Sequence, residues 1–292
     1  GTNTARLAEL VAAFPETRFA ALVEDPAVAE RLNRTFAKCG LQLDVLVDID
    51  TGMHRTGIAP DRRAVELYRQ VNSLPALRPR GLHFYDGQNH MPSPQERSRA
   101  VEQICQKIQQ LLAAIRGAGF DVQELVCGGT PTFPMFADVS IEGYAGALEC
   151  SPGTCVLSDA NYAQAFPDLG DFQFAALLLT RVISKQHAGQ VTLDLGNKAV
   201  AADPPLDRRV FLPRLPDARI LGHNEEHMIV QSAAADNLDL GDTLIAIPGH
   251  VCPTVALHEC FQLVEGGRIT DQWPITARRR DYRLAGNVEA SC

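Results

Sequence analysis

From Ala5 to Cys127 the chain alternates short apolar runs with amphipathic helix patterns, and no other feature restricts its fold as strongly. Leu7, Leu10, Val11 and Phe14 fall at helical spacing, and the short run Arg18 to Val23 follows, closed by Glu24-Asp25-Pro26. A helix pattern from about Ala27 to Cys39, ended by Gly40, precedes the strand run Leu43 to Ile49. A further helix pattern near Pro60 to Asn72 leads to a strand at Gly81 to Tyr85. Ser93 to Ala118 reads as a long helix, with Ser93 as its N-cap, Pro94 at the first position and Glu96 three residues on. The strand Glu124 to Cys127 comes next. Strict alternation predicts a parallel sheet with right-handed crossovers, in the register of a β/α barrel.

After about Phe172 the helical period stops. Short β-rich runs take over at Leu177 to Ile183, Gln190 to Leu195, Met228 to Gln231, Thr243 to Ile247 and Phe261 to Val264. We therefore expect residues 1–172 to form the β/α part and residues 173–292 a second, mostly β domain. The 292 residues, 46% apolar and 21% charged, have the balance of a globular protein. A formal charge of -8, with no basic cluster interleaved with aromatics, argues against nucleic acid as a partner. No apolar stretch reaches the roughly 18 residues of a membrane helix, and no signal-peptide pattern opens the chain, so the cytoplasm is expected. The eight cysteines are scattered and read as mostly buried free thiols of a reducing compartment. The chain opens Gly-Thr-Asn without Met and runs directly into a helix pattern, which reads as a chain whose beginning is missing.

In a parallel barrel the loops after the strands build the site. Here they carry Arg55, Tyr85, the pair Gly128-Gly129 with Thr130, and Ser151-Pro152-Gly153-Thr154. Gly128-Gly129-Thr130 offers unobstructed N–H donors and a hydroxyl, an arrangement that cradles a phosphate, although such a pair is as readily a plain turn. Arg55 can meet an anionic oxygen or lie in solvent. Tyr85 can present its hydroxyl to a ligand or simply pack. Near the C-terminus, Pro248-Gly249-His250-Val251-Cys252-Pro253-Thr254 follows an apolar run. If the extended path continues, His250 and Cys252 project from one face, an imidazole and a thiolate forming half of a zinc site. A buried thiol beside a hydrogen-bonded histidine is the plainer reading of the same pair.

Six stretches, taken in order, resemble one family. They are Val47-Asp48-Ile49-Asp50-Thr51-Gly52-Met53-His54-Arg55-Thr56-Gly57, Gly81-Leu82-His83-Phe84-Tyr85-Asp86-Gly87, Gly128-Gly129-Thr130-Pro131-Thr132-Phe133-Pro134, Ser151-Pro152-Gly153-Thr154, Glu225-Glu226-His227 and the Pro248 to Thr254 stretch. Together they resemble the D-threonine aldolase and D-serine dehydratase family, fold-type III pyridoxal phosphate enzymes with an alanine-racemase-like barrel and a C-terminal β domain. The resemblance implies that Arg55 faces the phenolic oxygen of pyridoxal phosphate and Tyr85 its pyridine nitrogen. By the same resemblance Gly128, Gly129 and Thr130 hold the phosphate, and His90 is the candidate general base. His250 and Cys252 would bind a divalent metal, zinc favoured by the thiolate and manganese an alternative.

The implied activity is that of a pyridoxal phosphate-dependent lyase on D-β-hydroxy amino acids, foremost retro-aldol cleavage to glycine and an aldehyde. The alternatives are β-elimination to a keto acid and ammonia, or a non-catalytic relative that binds without turnover. A racemase is disfavoured by the His-x-Cys pair, since racemisation needs no metal. A homodimer is implied by resemblance only. Two departures stand out. The family's cofactor-linked lysine lies on a first strand in a His/Lys-rich segment that has no counterpart here, and Lys38, Lys107, Lys185 and Lys198 are poor substitutes. The expectation is therefore an N-terminally truncated chain that forms no lysine-linked cofactor and turns nothing over. In addition, Gln88 stands where the pattern has His.

Overall fold

Parallel strands with helices between them make the first unit of the computed structural model, which describes residues 2–146 and 148–278. In chain order its elements are α1 (Thr2–Ala13), β1 (Ala20–Val23), α2 (Pro26–Lys38), β2 (Leu43–Asp48), α3 (Arg62–Ser73), β3 (Leu77–Phe84), α4 (Pro94–Gly117), β4 (Glu124–Cys127), α5 (Phe133–Ala137) and β5 (Leu148–Cys150). The strands pair in sequence order, β1-β2-β3-β4-β5, every pair parallel. That order is the wall of a β/α barrel. All six residues of β2 are buried, as a strand covered on both faces must be. Phe36 of α2, Tyr68 of α3 and Ile108 and Ile115 of α4 close over Val45, Val47, Leu82 and Phe84 in one apolar core. Local chemistry starts the helices: Asp25 caps α2 through the N–H groups of Ala27 and Val28, and the Ser93 hydroxyl accepts from Glu96 N to cap α4.

The second unit begins at Thr154. It comprises α6 (Ala160–Ala165), β6 (Leu178–Ser184), β7 (Gln190–Leu193), β8 (Val210–Phe211), β9 (Arg219–His223), β10 (Met228–Gln231), β11 (Thr243–Pro248), α7 (Val251–Leu257), β12 (Cys260–Glu265) and β13 (Arg268–Pro274). Six strands form an antiparallel sheet in the order β8-β11-β6-β7-β10-β9, and β12 and β13 make a separate hairpin. The change of texture read from the sequence coincides with β6, whereas the packing division falls earlier, between Gly153 and Thr154. Residues 154–172 pack with the second unit because Asp159 bonds the N–H of Val251 and Asn161 bonds the carbonyl of Arg208. Among the described residues no helix is long and apolar enough to cross a membrane.

Candidate active site

Three loops at the C-terminal edge of the first unit's sheet come together. After β2, the Asp50 carboxylate accepts from the N–H groups of Gly52 (2.9 Å) and His54 (3.0 Å) and bonds the His54 ring at 2.7 Å. Partial burial opposes ionisation of Asp50, but these bonds prevail and hold its carboxyl below the usual range. They also hold His54 at φ 55°, a left-handed conformation that a histidine adopts only at a cost. The turn carries Arg55 over Tyr85, its guanidinium carbon 4.8 Å from the ring centroid. Asp48, Ile49, Met53, Arg55, Thr56 and Tyr85 line one shallow pocket. Asp48 is fixed there by its strand neighbour His83, whose Nδ1 lies 2.6 Å from its carboxylate.

Tyr85 also packs against two glycines. A Cβ on Gly129 would stand 2.9 Å from Tyr85 Cε2, and one on Gly87 would strike the other side of the ring. Only residues without a side chain let two backbones approach the ring this closely. Gly128, Gly129 and Thr130 are buried, and the N–H of Gly129 donates to Asp86 Oδ1 at 3.3 Å. An anion at this loop therefore competes with Asp86 for Gly129, or takes the donors of Gly128 and Thr130. His90 stands exposed beyond Tyr85, its backbone N–H bonded to the carbonyl of Gln88.

His250 and Cys252 lie in the second unit, and the extended path expected through them stops short. The strand β11 ends at Pro248, His250 is the N-cap of α7 and Cys252 sits in its first turn. Pro253 favours this: in the first turn of a helix the missing N–H costs nothing. The Thr254 hydroxyl closes the turn by donating to His250 O at 2.7 Å. The two side chains nevertheless meet. The hydrogen bond to Cys252 raises the His250 pKa to about 9, with burial opposing and Asp203 adding to the rise. The same bond holds the Cys252 thiol below its usual range. Asp203 Oδ2 lies 2.5 Å from His250 Nδ1, the carboxylate-behind-imidazole arrangement that orients a metal-binding histidine. Cys252 Sγ is 3.9 Å from the Thr154 hydroxyl. Imidazole and thiolate suit zinc, but among the described residues no group of three or more His, Cys, Asp and Glu side chains is gathered for a metal.

The structure thus brings Arg55, Tyr85 and the Gly128 to Thr130 loop together in one unit, and His250 with Cys252 in the other. Sequence reading passed over Asp48, His83, Asp86, Asp159 and Asp203. Two of these, His83 and Asp86, stand inside the Gly81 to Gly87 stretch, yet a single buried carboxylate carries no local signal of what it will hold.

Residues 3–146 match the family described as "Alanine racemase, N-terminal domain", and residues 175–264 the one described as "Putative serine dehydratase domain". A D-threonine aldolase from Arthrobacter sp. is 28% identical over 280 residues, covering 94% of this chain and 71% of that protein. A 3-hydroxy-D-aspartate aldolase from Paracoccus denitrificans is 26% identical over 267 residues, covering 89% and 67%. The crystal structure of D-threonine aldolase from Filomicrobium marinum superposes with a TM-score of 0.85 at 29% identity, covering 95% of this chain and 73% of that one. The parallel sheet with its helices, followed by an antiparallel sheet, defines an alanine-racemase-like protein with a dehydratase-type second domain. Within that class the chain is similar along most of its length to D-threonine aldolase and 3-hydroxy-D-aspartate aldolase.

Proposed function

We propose that this protein is a pyridoxal phosphate- and metal-dependent lyase of D-β-hydroxy amino acids, cleaving them in the manner of a D-threonine aldolase to glycine and an aldehyde. The observation that carries the reading is the Tyr85 ring packed against the Gly87 and Gly129 backbones with Arg55 over it, a phenol, a guanidinium and a glycine loop converging on one site. When bound, pyridoxal phosphate supplies an electron sink for bonds at the substrate's Cα, and the divalent metal supplies a Lewis acid for the β-hydroxyl. In this reading Arg55 donates to the phenolic oxygen and Tyr85 faces the pyridine nitrogen. Gly128 and Thr130, with Gly129, hold the phosphate. His250 and Cys252 hold the metal, with Asp203 orienting His250, and His90 takes the β-hydroxyl proton. A homodimer working in the cytoplasm belongs to the same reading.

Product analysis with D-threonine and D-serine on the full-length protein, in the presence of pyridoxal phosphate and zinc or manganese, tests it. Glycine and acetaldehyde from D-threonine are expected. A keto acid and ammonia would instead indicate elimination, which uses the same groups with the α-proton removed.

A second reading, binding without turnover, turns on whether a lysine links the cofactor. Lys38 ends α2, Lys107 lies within α4, and Lys185 and Lys198 lie in the second unit, bonded to the Asp236 and Leu238 carbonyls and to Glu225 and Glu226 respectively. Neither Lys38 nor Lys107 lines the pocket beside Arg55 and Tyr85. Borohydride reduction of the full-length protein with pyridoxal phosphate, followed by mass spectrometric mapping, separates the two readings. One stoichiometrically labelled lysine supports the lyase, and reversible binding without label supports the second reading.

A further inference from the structure

Asp86 is the most enclosed acid of the first unit's site, 2% exposed, and nothing in the chemistry above uses it. Its two oxygens are divided between three donors. Oδ1 accepts from the N–H of Gly129 (3.3 Å) and from the hydroxyl of Thr132 (2.9 Å), and Oδ2 accepts from the side-chain amide of Asn89 at 3.0 Å. Asn89 is itself held by its own backbone N–H to the carbonyl of Asp86, so acceptor and brace form one closed turn. The fully buried Arg97 of α4 also donates to the carbonyl of Pro131. The loop Gly129 to Thr132 is therefore gripped at three points, Gly129, Pro131 and Thr132.

A carboxylate is a poor neighbour for an anionic ligand, and burying one is costly unless its lone pairs are taken. Its position explains why it is worth keeping. Asp86 directly follows Tyr85, so the bond to Gly129 ties the ring and the glycine loop to one short piece of backbone. Because Asp86 engages both Gly129 and Thr132, the loop's conformation is set before a ligand arrives, and ordering it costs less binding energy.

We propose that Asp86 is a positioning residue that presets the Gly128 to Thr132 loop against Tyr85 as a receptor for a phosphate monoester. This rests on the cofactor site proposed above and adds a residue to it. Asp86→Asn keeps the volume but replaces one acceptor oxygen by a donor, and Thr132→Ala removes one hydroxyl, with Thr132→Ser as its conservative rescue.

Titration calorimetry with pyridoxine 5′-phosphate and with pyridoxine provides the measurement, since neither ligand carries an aldehyde or needs turnover. The wild-type protein is expected to prefer the phosphate form. Asp86→Asn and Thr132→Ala should lose at least about tenfold of that preference through the phosphate ligand alone, and Thr132→Ser should keep it. Thermal melts accompany each variant. If Asp86→Asn does not fold, the Thr132 pair alone decides. A wild-type preference left unchanged in variants that fold, or pyridoxine weakened as much as its phosphate, overturns the role of Asp86. Absence of any phosphate preference in the wild type overturns the phosphate-loop reading itself, and the proposal with it.

Discussion

Single atoms decide the first unit's site. The Tyr85 ring keeps its place because Gly129 has no Cβ, and an added methyl would meet Tyr85 Cε2 at 2.9 Å, inside any tolerated contact. Ring or loop must then move. Gly129→Ala should destabilise the fold by about 1–3 kcal/mol through overpacking and weaken pyridoxine 5′-phosphate binding, read by urea unfolding and calorimetry. An unchanged affinity would show that the ring and loop do not share a ligand. In the second unit the equivalent control lies with two side chains. His250→Ala combined with Cys252→Ala should abolish zinc binding and lyase turnover while the absorbance of added pyridoxal phosphate on the protein persists, because Arg55, Tyr85 and the Gly128 to Thr130 loop all belong to the first unit. A double variant that still binds zinc would remove these residues from the metal site.

At the scale of elements, local chemistry sets the helix ends. The Ser93 hydroxyl caps α4 through Glu96 N, so Ser93→Ala should cost about 1 kcal/mol, visible as a lowered urea midpoint with an unchanged slope. That cap was readable from sequence because Ser93, Pro94 and Glu96 sit at fixed short offsets, and the alternation that predicts the parallel sheet is equally local. The strands β8, β9 and β13 escaped sequence reading for a physical reason: β8 has two residues, β9 buries only Ile220, and β13 is exposed throughout, so none shows an apolar face at period two. The turn into α7 escaped because Pro253 reads as a breaker, whereas in the first turn of a helix it is a starter. Asp86 was illegible for another reason. Its bonds to Gly129 and Thr132 span 43 and 46 positions, and no periodic pattern reports a contact at that range.

Across the whole molecule, the first unit's core carries a dependence on pH that its composition conceals. Burial, reinforced by the nearby Asp86 and Glu102, pushes the Cys105 thiol up to about 11. Burial also raises Cys127 and Cys150, which are register neighbours on β4 and β5, and the Tyr68 phenol, whose hydroxyl donates to the carbonyl of Asp121. In each case folding favours the neutral form. In the unfolded chain the thiols ionise from about pH 9 and the phenol from about pH 10. The stability these groups supply is thus complete below about pH 9 and is lost as the pH rises toward their folded values, because above it the unfolded state gains charge that the core refuses. The urea midpoint should hold level from pH 7 to 8 and fall between pH 9 and 11. Cys105→Ala lowers stability at every pH by opening a small cavity, but it removes one of the ionising groups, so its alkaline decline should be shallower than the wild type's. Parallel declines in the two proteins would show that Cys105 does not resist ionisation, and the alkaline loss would then belong to other groups.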